Sequence, residues 1–182
     1  MGSVYQRALD ELGGVFAQLD EAQVDAAVSA LAAANRVVLH GVGREGLQVR
    51  GLAMRLFHLG LHAAVVGEMT TPAVGAGDLF MVSAGPGAFA TILALMGAAA
   101  AAGARTLVVT AQPDGEAARR ADLVLCVPAQ TMSDDQAGTS VLPMGSLYEG
   151  ALFILFEVLV LRLRDRLGVT PAAMRARHTN LE

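Results

Sequence analysis

Apolar positions recur along this chain in two rhythms. Over residues 3–19 they fall at Leu9, Leu12, Val15, Phe16 and Leu19, and over residues 21–34 at Val24, Val28 and Leu31. That spacing predicts two helices, with Asp20 placed to cap the second. Short apolar runs then take over at Arg36–Gly41, Leu61–Val66, Leu79–Ser83, Arg105–Thr110 and Leu123–Val127, and each reads as a strand. Helical patterns separate them at Leu47–Leu59, Ala88–Ala102 and, after a turn, Gln112–Arg120; Leu147–Leu167 follows as a long last helix, with Ser146 placed to cap it and Gly168 to end it. Alternation of this kind predicts an α/β fold, a five-stranded parallel sheet in three flavodoxin-like layers, with helices on both faces and right-handed crossovers. The organisation expected is one domain over residues 1–182: a helical prelude at 1–34, the sheet and its helices at 35–167, and a tail at 168–182.

The stretch from Arg36 to Gly46 organises the rest, because an apolar strand turns through Gly41, Gly43 and Gly46 into a helix. Glycine permits positive φ and close approach of a ligand or chain, and the N–H groups of a helix start favour negative charge. The same spacing is G-x-G-x-x-G, with Glu68 about 20 residues on, as dinucleotide folds have it. A glycine turn that only lets a helix pack on a sheet satisfies the pattern equally. In a parallel sheet, sites lie at the carboxyl ends of strands, where Gly41–Gly46, Glu68, Ser83–Gly87, Thr110 and Pro128–Thr131 converge. Residues 129–145 form the longest irregular connection and are a candidate functional loop.

Composition narrows the setting. A net charge of −4 and the lack of a Lys/Arg run interleaved with aromatics argue against nucleic acid. The greasiest segment, Ala151–Leu161, is interrupted by Glu157 and too short to cross a bilayer, so no membrane is expected. Arg7, Asp10 and Glu11 break any leader-like core near the N-terminus, and the single Cys126 sits in an apolar run as a small core residue; a cytoplasmic protein is expected. With 54% hydrophobic residues, and with Ala88–Ala102 apolar on every side and therefore expected to be buried, extra cover from a homo-oligomer is expected too.

Two residues stand out chemically. Glu149, in the first turn of the apolar last helix, serves either to complement the helix dipole or as a general base where the long loop meets the sheet. His178 lies in a polar tail, either solvated or ordered by docking onto another subunit. His40, at a strand end before the glycine turn, reads as structural rather than catalytic. His58 and His62 are four apart but lack the further ligands a metal needs, so no metal site is expected.

Several motifs together give the chain a family resemblance. They are Gly41-Val42-Gly43-Arg44, Ala53 to Gly60, Val66-Gly67-Glu68 with Thr71-Pro72, Gly77-Asp78-Leu79, Leu142 to Glu149, and the ending Arg177 to Glu182. With these the chain resembles the sugar isomerase (SIS) domains, and among them the 6-phospho-3-hexuloisomerases. The resemblance implies a homotetramer, no cofactor, and interconversion of 3-ketose and 2-ketose sugar phosphates through an enediol. It implies Glu149 as the base and His178, from a neighbouring subunit, for proton work on the oxygens. Gly43, Arg44, Glu45, Glu68, Ser83, Gly85 and Gly87 would bind substrate. The chain departs from the family at Glu45, where Ser is usual, and at Ala84-Gly85-Pro86-Gly87-Ala88-Phe89, which replaces Ser-Gly-Ser-Gly-x-Thr. These changes remove hydroxyls, delete an N–H at Pro86, and set a negative charge where phosphate would sit, so altered or lost phosphate specificity is expected. A sugar-sensing SIS module without catalysis and a dinucleotide-binding oxidoreductase are the competing readings.

Overall fold

The computed structural model describes residues 2–138 and 140–181. Thr139 in the long loop and Glu182 in the closing motif lie outside the described residues. In order, the elements are α1 (Val4–Phe16), α2 (Glu21–Ala33), β1 (Val37–Gly41), α3 (Gly43–Leu59), β2 (Ala63–Val65), β3 (Leu79–Ser83) and α4 (Ala90–Ala101). There follow β4 (Arg105–Thr110), α5 (Glu116–Arg120), β5 (Leu123–Cys126), α6 (Ser146–Leu167) and α7 (Pro171–Ala176). The strands pair in parallel in the order β2-β1-β3-β4-β5. Strand order therefore reverses between β1 and β3, and the carboxyl ends of those two strands open the crevice where α/β proteins bind ligands.

Side-chain alternation sends each strand into two cores. Leu39, Met81, Leu107 and Leu125 meet Leu31, Leu52, Leu56, Leu152 and Leu155 of α2, α3 and α6 on one face. Val38, Phe80, Val82 and Val108 meet Ile92, Met96 and Ala117 of α4 and α5 on the other. Capping follows the sequence at several ends: Asp20 accepts from Ala22 N–H at 2.9 Å, and Thr170 accepts from Ala173 N–H at 3.1 Å. Gly60 and Gly168 close α3 and α6 in the left-handed conformation.

Four boundaries or environments differ from expectation. Helix α3 begins at Gly43 rather than Leu47, because Gly43 takes φ +59° and turns the chain directly from strand to helix. Glu45 and Gly46 thereby enter its first turn. Strand β2 spans three residues, since Leu61 N–H is held by the Leu56 carbonyl at the end of α3. Helix α4 is not buried all round: Ile92, Met96 and Ala99 face the core, while Ala94, Gly97, Ala98 and Ala100 are exposed in the single chain. Ser146 does not cap α6; Gly145, at φ +79°, precedes it, and Ser146 is the first helical residue. No helix among the described residues is long and apolar enough to cross a membrane.

Candidate active site

The crossing of β1 and α3 fixes the floor of the site. A Cβ on Gly46 would lie 2.6 Å from the Gly41 carbonyl oxygen, so only glycine allows the helix to start this close to the strand. Arg44 and Glu45 then project from the first turn in different directions. Arg44 reaches across to the start of α6, donating to the Met144 carbonyl at 2.7 Å and to Ser146 Oγ at 3.1 Å, and pairing with Glu149 Oε2 at 2.9 Å. Met144 is held at φ +54°, a conformation unusual for a side chain of its size, and its N–H donates to Asp135. The long loop is thus shaped to present its carbonyl to Arg44. Glu11 of α1 secures the same loop by accepting from Val141 N–H and Ser140 Oγ.

Glu45 turns inward. Its Oε2 accepts from Ser83 Oγ at 2.6 Å and from Gly85 N–H at 3.0 Å. Ser83 Oγ lies 3.3 Å from the Tyr148 hydroxyl, and since its one proton goes to Glu45, Tyr148 donates to it. Burial pushes the Glu45 carboxyl above the ordinary carboxylate range, the two hydrogen bonds oppose this, and the negative charge of Glu149 adds to it. Burial likewise holds the Tyr148 phenol far above its usual value, so it stays neutral. Burial also raises the Glu149 carboxyl, with the Arg44 charge acting the other way.

Between these groups lies a cleft of about 370 Å³, lined by Gly43, Arg44, Glu45, Glu149, Tyr148 and Thr131 with apolar walls from Phe89, Met132 and Met144. Chemically it offers two carboxylates of raised proton affinity, one guanidinium and the opening turn of α3.

Of the residues singled out in the sequence, Gly43, Arg44, Glu45 and Glu149 line this cleft, and Ser83 and Gly85 lie beneath it, bonded to Glu45. Gly87, at φ +92°, packs against Gln112 and Gly115 and donates to the Ala84 carbonyl. Glu68 is not brought to the cleft. It is exposed past the edge strand β2, beside a surface hollow that also touches Phe57 and Ala64. His178 stacks on His58 with ring centroids 5.2 Å apart, at the other end of α3 from Arg44, about 20 Å along the helix axis. His40 does not line the cleft, and burial lowers its proton affinity. Burial raises the Cys126 thiol, as suits an unreactive core residue. Tyr148 had no assigned part beforehand and Ser146 only that of a helix cap; the signal for both was their place in the Leu142–Glu149 motif.

A doubly wound sheet with its cleft at the β1/β3 reversal, closed by the first turns of α3 and α6, defines a small-molecule site of the sugar isomerase class. The SIS domain profile matches residues 30–154. The chain is 38% identical over 173 residues to a 3-hexulose-6-phosphate isomerase of Mycobacterium gastri, covering 95% of this chain and 87% of that one. It is 34% identical over 182 residues to a 3-hexulose-6-phosphate isomerase of Methylomonas aminofaciens, covering 100% of both. A crystal structure of a Methanococcus jannaschii protein, from which 3-hexulose-6-phosphate isomerase function was inferred, matches with TM-score 0.85 and 25% identity over 98% of each chain. The chain belongs to the SIS domain family.

Proposed function

We propose that this protein is a ketose isomerase that moves a carbonyl between adjacent carbons of a sugar or sugar phosphate, in the manner of a 3-hexulose-6-phosphate isomerase. The observation that carries this reading is Glu149. Its carboxylate is 16% exposed, lines the cleft, and is fixed by Arg44 at 2.9 Å. A carboxylate of raised proton affinity is matched to taking a proton from the carbon beside a carbonyl at neutral pH. The carbonyl oxygen gains a proton as the enediol forms; return of a proton to the adjacent carbon, with loss of one from its neighbour's hydroxyl, gives the isomeric ketose. No electrons leave the substrate. Arg44, already held by Met144 and Ser146, lies beside Glu149 to stabilise charge on the enediol oxygens.

His178 enters this scheme only across a subunit boundary, since in its own chain it stands at the far end of α3. Apolar side chains left exposed at Leu47, Met54 and Phe57 of α3 and at Phe153 and Leu161 of α6 support association of copies. We read the protein as a cytoplasmic homotetramer acting as one SIS unit from prelude to tail, a reading supported by this exposed apolar surface.

Glu149→Gln tests the assignment: ligand affinity should persist while turnover falls by at least about 100-fold, the range of a positioned acid or base. Loss of affinity with turnover retained would refute it. A second reading, a sugar-sensing module without catalysis, is favoured by the engagement of Ser83 and Gly85 with Glu45. It predicts ligand binding with no turnover in the unaltered protein.

A further inference from the structure

One carboxylate braces the long loop between β5 and α6. Asp135, half-buried, accepts from Gln130 Nε2 at 2.6 Å on one oxygen and from Met144 N–H at 3.1 Å on the other. It thereby ties the start of the loop to its end. Among the described residues Met144 alone, glycines aside, holds a positive φ, a conformation that persists only where its surroundings enforce it. Its carbonyl accepts from Arg44 Nη2 at 2.7 Å. Arg44 depends on such acceptors, because its side chain is 53% exposed and packing does little to hold it. It also donates to Ser146 Oγ at 3.1 Å and pairs with Glu149 Oε2 at 2.9 Å. Without the bond to Asp135 the strained residue would relax, its carbonyl would turn away, and the guanidinium would gain freedom to swing into solvent.

We propose that Asp135 is a positioning residue: through the main chain of Met144 it holds Arg44 against Glu149. The inference rests on the reading of Glu149 as base for its bearing on turnover, and not for the contact itself. Around Glu149 the cleft sets Arg44 and Glu45 of α3 and the neutral Tyr148 of α6, and the described loop residues lining it carry no ionisable group. Arg44 is the one cation in this set and favours the ionised carboxylate. Releasing it therefore raises the pH at which Glu149 loses its proton. Removing the charge of Asp135 acts by itself the other way, since loss of a nearby anion favours ionised Glu149. The direction of the shift separates the two causes.

The test compares the intact protein with Asp135→Asn and Asp135→Ala. The Glu149 carboxyl is followed across pH by NMR of protein labelled with carbon-13 glutamate, its signal assigned by its absence from Glu149→Gln. Asparagine keeps an acceptor for Met144 and offers its amide to Gln130, whereas alanine does neither. Asp135→Ala should raise the pH at which Glu149 titrates and lower kcat on 3-hexulose 6-phosphate by about 10- to 100-fold, the cost of a displaced positioning contact. Asp135→Asn should move the titration no higher and keep most of the turnover. A Glu149 titration that stays in place or falls in Asp135→Ala would overturn the proposal even if turnover were lost, as would equal upward shifts in both variants. Turnover that survives in Glu149→Gln counts against the base instead, and the titration still judges Asp135. Should Asp135→Ala fail to fold, shown by its far-ultraviolet dichroism, Asp135→Ser, too short to reach Met144, is read in its place.

Discussion

Gly46→Ala probes the crossing on which the site is built. The added Cβ would lie 2.6 Å from the Gly41 carbonyl oxygen, and the obstacle is main chain rather than a side chain able to swing aside. Forcing a methyl group into such a contact costs about 1–3 kcal/mol. Alanine in place of a helical glycine returns at most about 1 kcal/mol. Gly14→Ala supplies the control, because Gly14 lies on the polar side of α1 with Arg7 and Asp10 and a Cβ there meets nothing within 4 Å. The propensity gain is shared by both variants, so their difference in unfolding free energy isolates the steric contribution, about 1–3 kcal/mol. In a chain of this size that is roughly 2–4 °C in Tm for each kcal/mol. Urea unfolding of the two variants measures it directly. Because the strained turn also carries Arg44 and Glu45, Gly46→Ala should weaken ketose binding, and Gly14→Ala should leave it unchanged. Equal stabilities, or a Gly46→Ala variant with unaltered affinity, would refute the claim that this contact positions the site.

Gly85→Ala drives a Cβ against the buried Tyr148 ring at 2.8 Å, so it should lower stability by about 1–3 kcal/mol, and an unchanged urea midpoint would contradict the packing described. Glu45 and Glu149 hold their protons to higher pH in the folded chain than the ordinary value of 4.5, so the folded state binds the more protons above that value. Their contribution to stability is complete below 4.5 and is lost as pH rises through the raised folded values; Glu45→Gln should flatten this fall in Tm measured from pH 4 upward. Removing the Arg44 charge, as in Arg44→Met, takes away the influence that favours ionised Glu149, so the acid limb of the activity profile should move to higher pH. Truncating Leu152, fully buried in the sheet–helix core, by Leu152→Ala should cost about 2–5 kcal/mol in chemical unfolding.

Much of this architecture is legible in the residues because the strands are short apolar runs, and because helices α2 and α7, before and after the sheet, carry the caps Asp20 and Thr170. The strand-turn-helix at Gly41–Gly46 could be placed beside the candidate cleft for the same reason. Periodicity could not place the first turn of α3, because the positive φ of Gly43 starts the helix before its apolar stripe begins. Composition likewise cannot say which side of an alanine-rich helix faces the core, and α4 buries only one. The bonds from Ser83 and Gly85 to Glu45 join residues 38 and 40 apart, so local pattern suggests a charge near the turn but not that the charge takes its donors. Glu68 and His178 were grouped with the site by strand-end position and family motif; the actual reach of β2 and the docking of α7 on α3 place both away from the cleft of their own chain.

Solvent labelling tests the central claim most directly. A ketose incubated in heavy water with the protein should acquire deuterium at the carbon beside its carbonyl, seen by proton NMR, and Glu149→Gln should abolish the incorporation while still binding the sugar. Labelling that continues undiminished in Glu149→Gln would show that another group moves the proton.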